Sequence, residues 1–214
     1  MKDPIPKDLF DILACPIDKF FPLEMFIFTF ETNESDFLKY FNEYEKRNIK
    51  SIEEKKIIEI SKEKDETYIK DLVIIENTPL QKYIESIIKS IKEFNHIHNR
   101  SSNKASIKCF NIIKNEINSK LIQFSTNLFQ EKIENLIPEL LFINRIKIFV
   151  EIASGLLFCP ECKRWYPIIE TIPQMLPDEY RDKEKELDFL RTNKNLLDKE
   201  FLNQELKPFH IQYE

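Results

Sequence analysis

The chain has 214 residues, of which 42% are hydrophobic and 12% aromatic, and this apolar content excludes wholesale disorder. Its 32 basic residues face 37 acidic residues, so the formal net charge is −5 and offers no general attraction for nucleic-acid phosphates. The length allows one domain, or a small domain joined to a second one.

The cellular location of the protein is predicted from its apolar stretches and its cysteines. Residues 1–8 contain no apolar run of the kind found in a secretory signal peptide. The most apolar later stretch, residues 136–158, is interrupted by four charged residues and is a poor candidate to span a bilayer. Four cysteines, two of them at metal-binding spacing, suit a reducing compartment. We expect a cytoplasmic protein.

The first part of the chain predicts a mixture of strands and helices. Residues 6–13 favour a short helical turn, and residues 22–30 favour a strand. Residues 35–46 have a mixed pattern that favours a helix. Residues 56–60 and 68–76 are rich in β-branched and aromatic side chains on either side of a charged turn, which predicts a β-hairpin.

Two longer helices follow. Apolar residues recur at steps of three and four over residues 84–94 and again over 110–128, which predicts one apolar stripe on each helix. The polar segment 95–104 is predicted to be the loop between them. The second helix is expected to continue through residues 133–136 and to end near Pro138, because proline cannot donate the backbone hydrogen bond of a helix interior. A helical hairpin is therefore the predicted core of this region.

The last third of the chain returns to strands and ends in a helix. Residues 140–152 contain an alternating apolar pattern that favours a strand, and Gly155 is expected to allow a turn. Residues 165–170 favour another strand. Residues 178–205 carry apolar side chains on roughly one face among many charges, which predicts an amphipathic helix broken near residues 192–193.

Two short segments, about 140 residues apart, look like the two halves of one zinc site. The second segment contains Cys159 and Cys162 at the Cys-x-x-Cys spacing that lets two thiolates converge on one tetrahedral ion. The first segment supplies Cys15, with Asp18 where a second cysteine would be expected. Neither half can hold a metal alone. If both halves share one Zn²⁺, everything between them is an insertion.

These two segments resemble the Trm112 family, small zinc-binding proteins that bind and activate S-adenosylmethionine-dependent methyltransferases. The first matching stretch is residues 9–19 followed by Pro22 and Leu23, and the second is residues 157–177. The similarity is specific because cysteines, prolines, aromatic residues and a trailing Ile-Pro are fixed together. It covers about residues 7–23 and 155–180, a small part of the chain.

The fourth zinc ligand is open at this stage. The family places its fourth ligand at the position of Asp18, and a carboxylate can bind zinc, although it is a harder ligand than a thiolate. Alternatively, Asp18 is a solvated turn residue and the fourth position holds water, or the metal has been lost. Cys109 could be proposed as the missing fourth ligand. It lies beside the apolar face of a predicted helix, however, and is better explained as a buried small hydrophobic residue. A redox dithiol is disfavoured because Cys162 leads into a strand and not into a helix.

No catalytic site is predicted. His96, His98 and His210 are not expected to form a site. His96 and His98 could bind a metal as a pair, but they are interpreted as solvated loop residues. A single glycine excludes a glycine-rich phosphate loop, and no serine-nucleophile or dinucleotide motif is present. Catalytic zinc would need a nearby general base, which the sequence does not supply. We therefore expect no autonomous enzyme.

A dense apolar and aromatic set follows the second cysteine pair, and exposed patches of this kind mark interfaces. In the family that the chain resembles, the zinc module adds a strand to the methyltransferase sheet, with affinity provided by main-chain hydrogen bonds. The alternative is that this set packs against the insertion or the C-terminal helix. The predicted partner-binding residues are Trp165, Tyr166, Ile168, Ile169, Ile172, Pro173, Met175 and Leu176.

The sequence as a whole predicts an α+β fold with three parts. Residues 1–30 and 145–180 would form a discontinuous zinc-ribbon-like β domain, residues 31–144 a mainly helical insertion, and residues 181–214 a helical tail. The resemblance implies a non-catalytic, structural-zinc subunit that forms a heterodimer with class I methyltransferases acting on tRNA, rRNA or a translation release factor. The alternatives are a zinc-ribbon adaptor that contacts RNA or a transcription or translation assembly directly, and an enzyme housed in the insertion.

Overall fold

The computed structural model describes residues 13–47, 57–64, 66–127 and 131–211. The helical turn predicted for residues 6–13 lies almost entirely outside this part of the chain, as do residue 56 of the predicted hairpin and residue 128 of the second long helix. The described residues form an α+β fold, which confirms the predicted class at that level. The strands are β1 (Glu24–Phe30), β2 (Glu59–Glu63), β3 (Glu66–Lys70), β4 (Thr78–Pro79), β5 (Ile97–Asn99), β6 (Ile152–Phe158), β7 (Trp165–Ile169) and β8 (Ile172–Pro173).

The helices occupy the insertion and the C-terminal tail. Within the described residues, none of them is long and apolar enough to cross a membrane. A π-helical segment, Ile112–Ile117, lies between the third and fourth, and short 3₁₀ turns flank several others. The α-helices are α1 (Glu34–Lys46), α2 (Leu80–Glu93), α3 (Lys104–Asn111), α4 (Asn118–Thr126), α5 (Ile137–Phe149), α6 (Lys183–Asn193) and α7 (Lys199–Leu202).

The chain divides into two compact units. The first, here called the sheet unit, consists of Leu13–Glu31, His96–Lys104 and Glu151–Glu214. It contains a mixed five-stranded sheet in the order β5-β1-β6-β7-β8, in which β1 and β5 are parallel and the other pairs are antiparallel. The strands predicted over residues 22–30 and 165–170 are confirmed as β1 and β7.

The register of the sheet explains why two distant segments meet. Glu24, the first residue of β1, is paired with Phe158, the last residue of β6, and Phe158 is paired in turn with Trp165. The loop before β1 and the loop after β6 therefore leave the sheet at the same end. Because adjacent strands lie about 4.8 Å apart, the two predicted half-sites are brought side by side.

The C-terminal tail covers one face of this sheet. Apolar side chains of β1, β6 and β7, including Trp165, pack in one buried cluster with side chains of the tail. The predicted break in the tail helix is confirmed, because α6 ends at Asn193 and a 3₁₀ turn follows before α7. The tail members of the cluster are Leu190, Leu197, Phe201, Leu202 and Leu206.

The second unit, here called the helical unit, contains Thr32–Asn95 and Ala105–Val150. Helix α1 packs on α5, helix α2 packs on α4, and β2, β3 and β4 form a small antiparallel sheet. The helices predicted over residues 35–46, 84–94 and 110–128 are found, and β2 and β3 form the predicted hairpin with its turn after Glu63. The helical unit is therefore mainly helical with an added small sheet.

Four local predictions are wrong. Residues 140–152 are mostly helix α5 and not a strand. Pro138 lies in the first turn of α5, where a missing N–H costs nothing, so it does not end the preceding helix. The loop predicted over 95–104 contains strand β5. Gly155 lies inside β6, where an added Cβ would come within 2.6 Å of the Phe26 carbonyl oxygen, so its role is close backbone approach and not a turn.

Candidate metal centre

The first half-site is a tight turn that ends just before β1. The Cys15 carbonyl accepts a hydrogen bond from the Lys19 N–H at 2.9 Å, and the Cys15 N–H donates to the Phe20 carbonyl at 2.9 Å. Lys19 has a left-handed backbone conformation with a φ of 62°, which reverses the chain direction within the turn. This turn fixes Cys15 and Asp18 on the same side of the loop.

The second half-site repeats this geometry between β6 and β7. The Lys163 N–H donates to the Cys159 carbonyl at 2.9 Å, and the Cys159 N–H donates to the Arg164 carbonyl at 2.8 Å. Lys163 has a φ of 60°, equivalent to that of Lys19. Asp18 therefore occupies in the first turn the position that Cys162 occupies in the second.

Four potential ligands converge where the two turns meet. One ligand atom from each of Cys15, Asp18, Cys159 and Cys162 lies within 4.8 Å of all the others. The Cys15 and Cys162 sulfurs are 3.6 Å apart, and the Cys159 sulfur is 3.3 Å from Asp18 Oδ2. The prediction that these four residues come together is confirmed, and the cluster is a possible metal site.

The spacing and donor types fit a tetrahedral zinc ion. Zinc–sulfur bonds of about 2.3 Å and zinc–oxygen bonds of about 2.0 Å at tetrahedral angles imply sulfur–sulfur separations of about 3.8 Å and sulfur–oxygen separations of about 3.5 Å. Three soft thiolates and one carboxylate also match the ligand preference of Zn²⁺ better than that of Mg²⁺ or Ca²⁺. The donors present are therefore compatible with zinc in geometry and in chemistry.

Neighbouring groups support the ligand atoms. The Cys162 N–H donates to the Cys159 sulfur at 3.5 Å, and the Tyr166 hydroxyl lies 3.5 Å from the Cys15 sulfur. Arg164, within the second turn, makes a bidentate ion pair with Asp178, with Nη2 to Oδ2 at 2.8 Å. Hydrogen bonding to Asp178 raises the pKa of Arg164. These contacts hold the second turn in place against the segment that follows β8.

Asp18 is exposed, but its carboxylate is oriented. Its Oδ1 accepts a hydrogen bond from the Phe20 N–H at 3.0 Å, which leaves Oδ2 directed toward the cysteines. A hydrogen bond from Cys15, followed by that from the Phe20 N–H, lowers the pKa of Asp18 to about 2. Burial raises the pKa of the Cys159 thiol, and a bound dication would oppose that effect by favouring the thiolate.

The remaining cysteine and two of the histidines lie elsewhere. Cys109 is buried in the helical unit, its thiol faces the Phe37 carbonyl at 3.7 Å, and burial raises its pKa to about 12, in agreement with a structural role. His96 Nδ1 and His98 Nε2 are hydrogen-bonded to the two oxygens of Glu24 at 2.8 and 2.7 Å, so their interpretation as solvated loop residues is wrong. The signal that could have found this pairing is the His-x-His spacing, in which His96 directly precedes β5 and His98 lies within it.

The predicted partner-binding residues separate into two groups. Trp165, Tyr166 and Ile168 are buried within this chain, and Trp165 packs against the tail and donates its indole N–H to the Phe209 carbonyl at 2.9 Å. Their side chains are therefore not available to a partner in this conformation. The other group consists of exposed Ile169, Ile172 and Leu176 and partly exposed Pro173 and Met175.

Two matching turns at one end of a small sheet bring Cys15, Asp18, Cys159 and Cys162 together in a possible metal site that is compatible with zinc. The chain matches the family described as Trm112p-like protein over residues 7–170, more than half of its length, and it belongs to this family. No curated protein and no solved structure matches it. Membership confirms the sequence-based assignment and implies the role of a methyltransferase activator.

Proposed function

We propose that this protein is a non-catalytic subunit that binds and stabilises a class I S-adenosylmethionine-dependent methyltransferase. The family match over residues 7–170 carries this proposal, and the clustering of Cys15, Asp18, Cys159 and Cys162 supports it. Substrates of the family's partners, namely tRNA, rRNA or a translation release factor, are proposed for the partner of this chain. The methyl-transfer chemistry would belong to that partner.

The metal in this proposal has a structural role. Cys15, Asp18, Cys159 and Cys162 would hold Zn²⁺ and tie the segment before β1 to the turn between β6 and β7. A closed four-ligand site of this type contributes folding free energy directly. The three thiolate ligands and the carboxylate fill the tetrahedral shell, so no position is left for a substrate.

The surface proposed for the partner is the tip of the β7–β8 hairpin and the segment after it. Ile169 and Ile172 are paired in register at the tip and are 41% and 60% exposed, and Leu176 is 44% exposed. The two residues of the turn, Glu170 and Thr171, have φ values of 48° and 69°, a conformation that is unfavourable for a β-branched threonine. Exposed apolar side chains on a defined hairpin are typical of an interface.

The experiment is purification of the tagged chain from its native cell, followed by identification of the proteins that elute with it in near-equal amount. We expect a methyltransferase in that eluate. Ile172→Asp and Leu176→Asp should reduce its recovery, because a charge would be buried at the interface. The matched control is Ile75→Asp, because Ile75 is 70% exposed and lies in the helical unit.

The outcomes separate the competing functions. A methyltransferase that is recovered with the wild type and the control, but not with the two hairpin variants, supports the activator role and identifies the substrate class. RNA or ribosomal proteins recovered without any methyltransferase would contradict that role and favour the direct adaptor. Circular dichroism of each variant checks that the fold is retained.

A further inference from the structure

Two of the three cysteine sulfurs in the candidate metal centre face each other across the two turns. The Cys15 and Cys162 sulfurs are 3.6 Å apart, although 147 positions separate the two residues in the sequence. Cys15 belongs to the turn before β1, and Cys162 belongs to the turn between β6 and β7. A disulfide needs about 2.05 Å between its sulfurs, so rotation of the two side chains would have to close the remaining gap.

The third sulfur, that of Cys159, is held by Asp18. It lies 3.3 and 3.5 Å from the two carboxylate oxygens of Asp18, and it accepts the Cys162 N–H at 3.5 Å. A carboxylate cannot form a disulfide, so aspartate in place of the expected cysteine leaves three thiols, of which only two can pair. Oxidation within this cluster therefore stops at one disulfide and leaves one thiol.

A disulfide between Cys159 and Cys162 would have to close inside one tight turn. The backbone of that turn is fixed because the Cys159 carbonyl accepts the Lys163 N–H at 2.9 Å and the Cys159 N–H donates to the Arg164 carbonyl at 2.8 Å. A disulfide between the two turns leaves both sets of backbone hydrogen bonds in place, because it joins side chains that already meet. The geometry therefore favours Cys15 as the partner of Cys162.

Solvent reaches the three cysteines unequally. Cys15 and Cys159 are fully buried, whereas Cys162 is partly exposed. The buried Tyr166 hydroxyl lies 3.5 Å from the Cys15 sulfur and covers it from the interior. A small oxidant therefore meets Cys162 first, because oxidation follows exposure, and Cys15 is in place to react with the oxidised Cys162.

We propose that Cys15 and Cys162 form a reversible disulfide when a hydroperoxide oxidises this site, in exchange for the zinc ion. The metal part of this inference rests on the structural zinc of the proposed function, whereas the disulfide needs no methyltransferase. Because the bond uses two of the four proposed zinc ligands, the zinc-bound and oxidised forms exclude each other. The disulfide would keep the two turns joined after the metal leaves, and it would protect Cys162 from irreversible oxidation to sulfinic acid.

The reaction has two steps. The Cys162 sulfur attacks one oxygen of the hydroperoxide, the O–O bond breaks, and a sulfenic acid forms together with an alcohol, or with water when the oxidant is hydrogen peroxide. The Cys15 sulfur then displaces the hydroxyl group from the Cys162 sulfur, and the S–S bond forms as water leaves. The two cysteines lose two electrons, which the hydroperoxide accepts. Thiols supply the two protons of the products, whereas zinc-bound thiolates take them from solvent and Zn²⁺ is released.

The first test uses the full wild-type chain loaded with Zn²⁺. Hydrogen peroxide should release one zinc ion per disulfide formed, measured with a chromophoric chelator, and peptide mass spectrometry without reductant should find Cys15 linked to Cys162. A dithiol reductant followed by Zn²⁺ should restore the metal. A Cys159–Cys162 disulfide, or zinc release without any disulfide, would overturn the inference. If the chain binds no zinc, the proposed metal role fails, and the same peptide mapping still tests the cysteine pair.

The second test separates the pair from the third cysteine. Cys15→Ser and Cys159→Ser each remove one proposed zinc ligand, so they are matched in their effect on the metal. Disulfide formation after peroxide addition should slow at least about tenfold in Cys15→Ser and change less than about twofold in Cys159→Ser. Cys109→Ser alters the buried cysteine of the helical unit and should leave the rate unchanged. Equal rates in Cys15→Ser and Cys159→Ser would contradict the proposed pair, and the wild-type mapping decides if either variant fails to fold.

Discussion

At the scale of single residues, the proposed zinc site makes its sharpest prediction at Asp18. This residue occupies the position of a fourth thiolate, and its Oδ2 lies 3.3 Å from the Cys159 sulfur. We expect Asp18→Ala to weaken zinc binding at least about tenfold, because one ligand is lost from a four-ligand site. Asp18→Cys should strengthen zinc binding beyond the wild type, because a thiolate is the softer ligand. Competition with a chromophoric zinc chelator measures both effects.

The control for these variants comes from the other turn. Glu161 is an exposed acid between Cys159 and Cys162, and its carboxylate is not part of the four-residue cluster. Glu161→Ala changes the charge near the site by the same amount as Asp18→Ala but removes no ligand. Equal zinc affinity in Asp18→Ala, Glu161→Ala and the wild type would show that Asp18 does not bind the metal.

At the scale of helices and strands, the elements bounded by clear signals were predictable from the sequence. Strands β1 and β7 each follow one of the two half-site turns, and α2 and α4 have apolar stripes at helical spacing. Helix α5 was missed because its apolar residues lie all around the axis, as in a helix buried on every side, so a short alternating run was mistaken for a strand.

The wrong predictions at this scale share one physical cause, which is that contacts with distant parts of the chain determine these features. Strand β5 has three residues in a polar context, and only its parallel pairing with β1 makes it a strand. The burial of Trp165 likewise depends on the tail packing over the sheet, which no local pattern reports. The clustering of Cys15, Cys159 and Cys162 was predictable because cysteine spacing records the geometry of a metal site, whereas the place of Asp18 in the cluster was left open by the sequence. The register that brings the turns together was not predictable.

The pairing of β1 with β5 makes stability depend on pH through Glu24. Burial alone would raise the pKa of Glu24, but hydrogen bonds from His98 and His96 outweigh it, and the net shift is downward from 4.5. A lowered carboxyl pKa in the folded state adds stability that is complete above the unfolded value and is lost as the pH falls through the folded value. Glu24→Gln should therefore cost about 1 kcal/mol at pH 7 after allowance for solvent screening.

The measurement is denaturant unfolding of the wild type and Glu24→Gln between pH 7 and pH 3. Below about pH 4.5 the stability difference between them should decrease, because the Glu24 carboxylate becomes protonated. Glu200→Gln, an exposed residue of α7, is the control and should show no such difference. A difference that stays constant down to pH 3 would contradict the assigned role of Glu24.

At the scale of the whole molecule, zinc would join chain segments that lie more than a hundred residues apart in the sequence. Loss of the metal should therefore act on the sheet unit first. Binding to the folded state alone contributes about 2.7 kcal/mol when free zinc is 100 times its dissociation constant, so chelation should remove about that much from the free energy of unfolding. Hydrogen exchange should show the loss of protection in β1, β6 and β7.

The helical unit has its own buried core and contributes no ligand to the four-residue cluster. Amides of α2 and α4 should accordingly keep their protection after chelation, while those of the sheet unit lose it. Added Zn²⁺ should restore the protection, whereas added Mg²⁺ should not, because Mg²⁺ prefers oxygen ligands and the site offers three sulfurs. An equal loss in both units would mean that they fold as one cooperative structure, and no loss in either would mean that the four residues hold no structural metal.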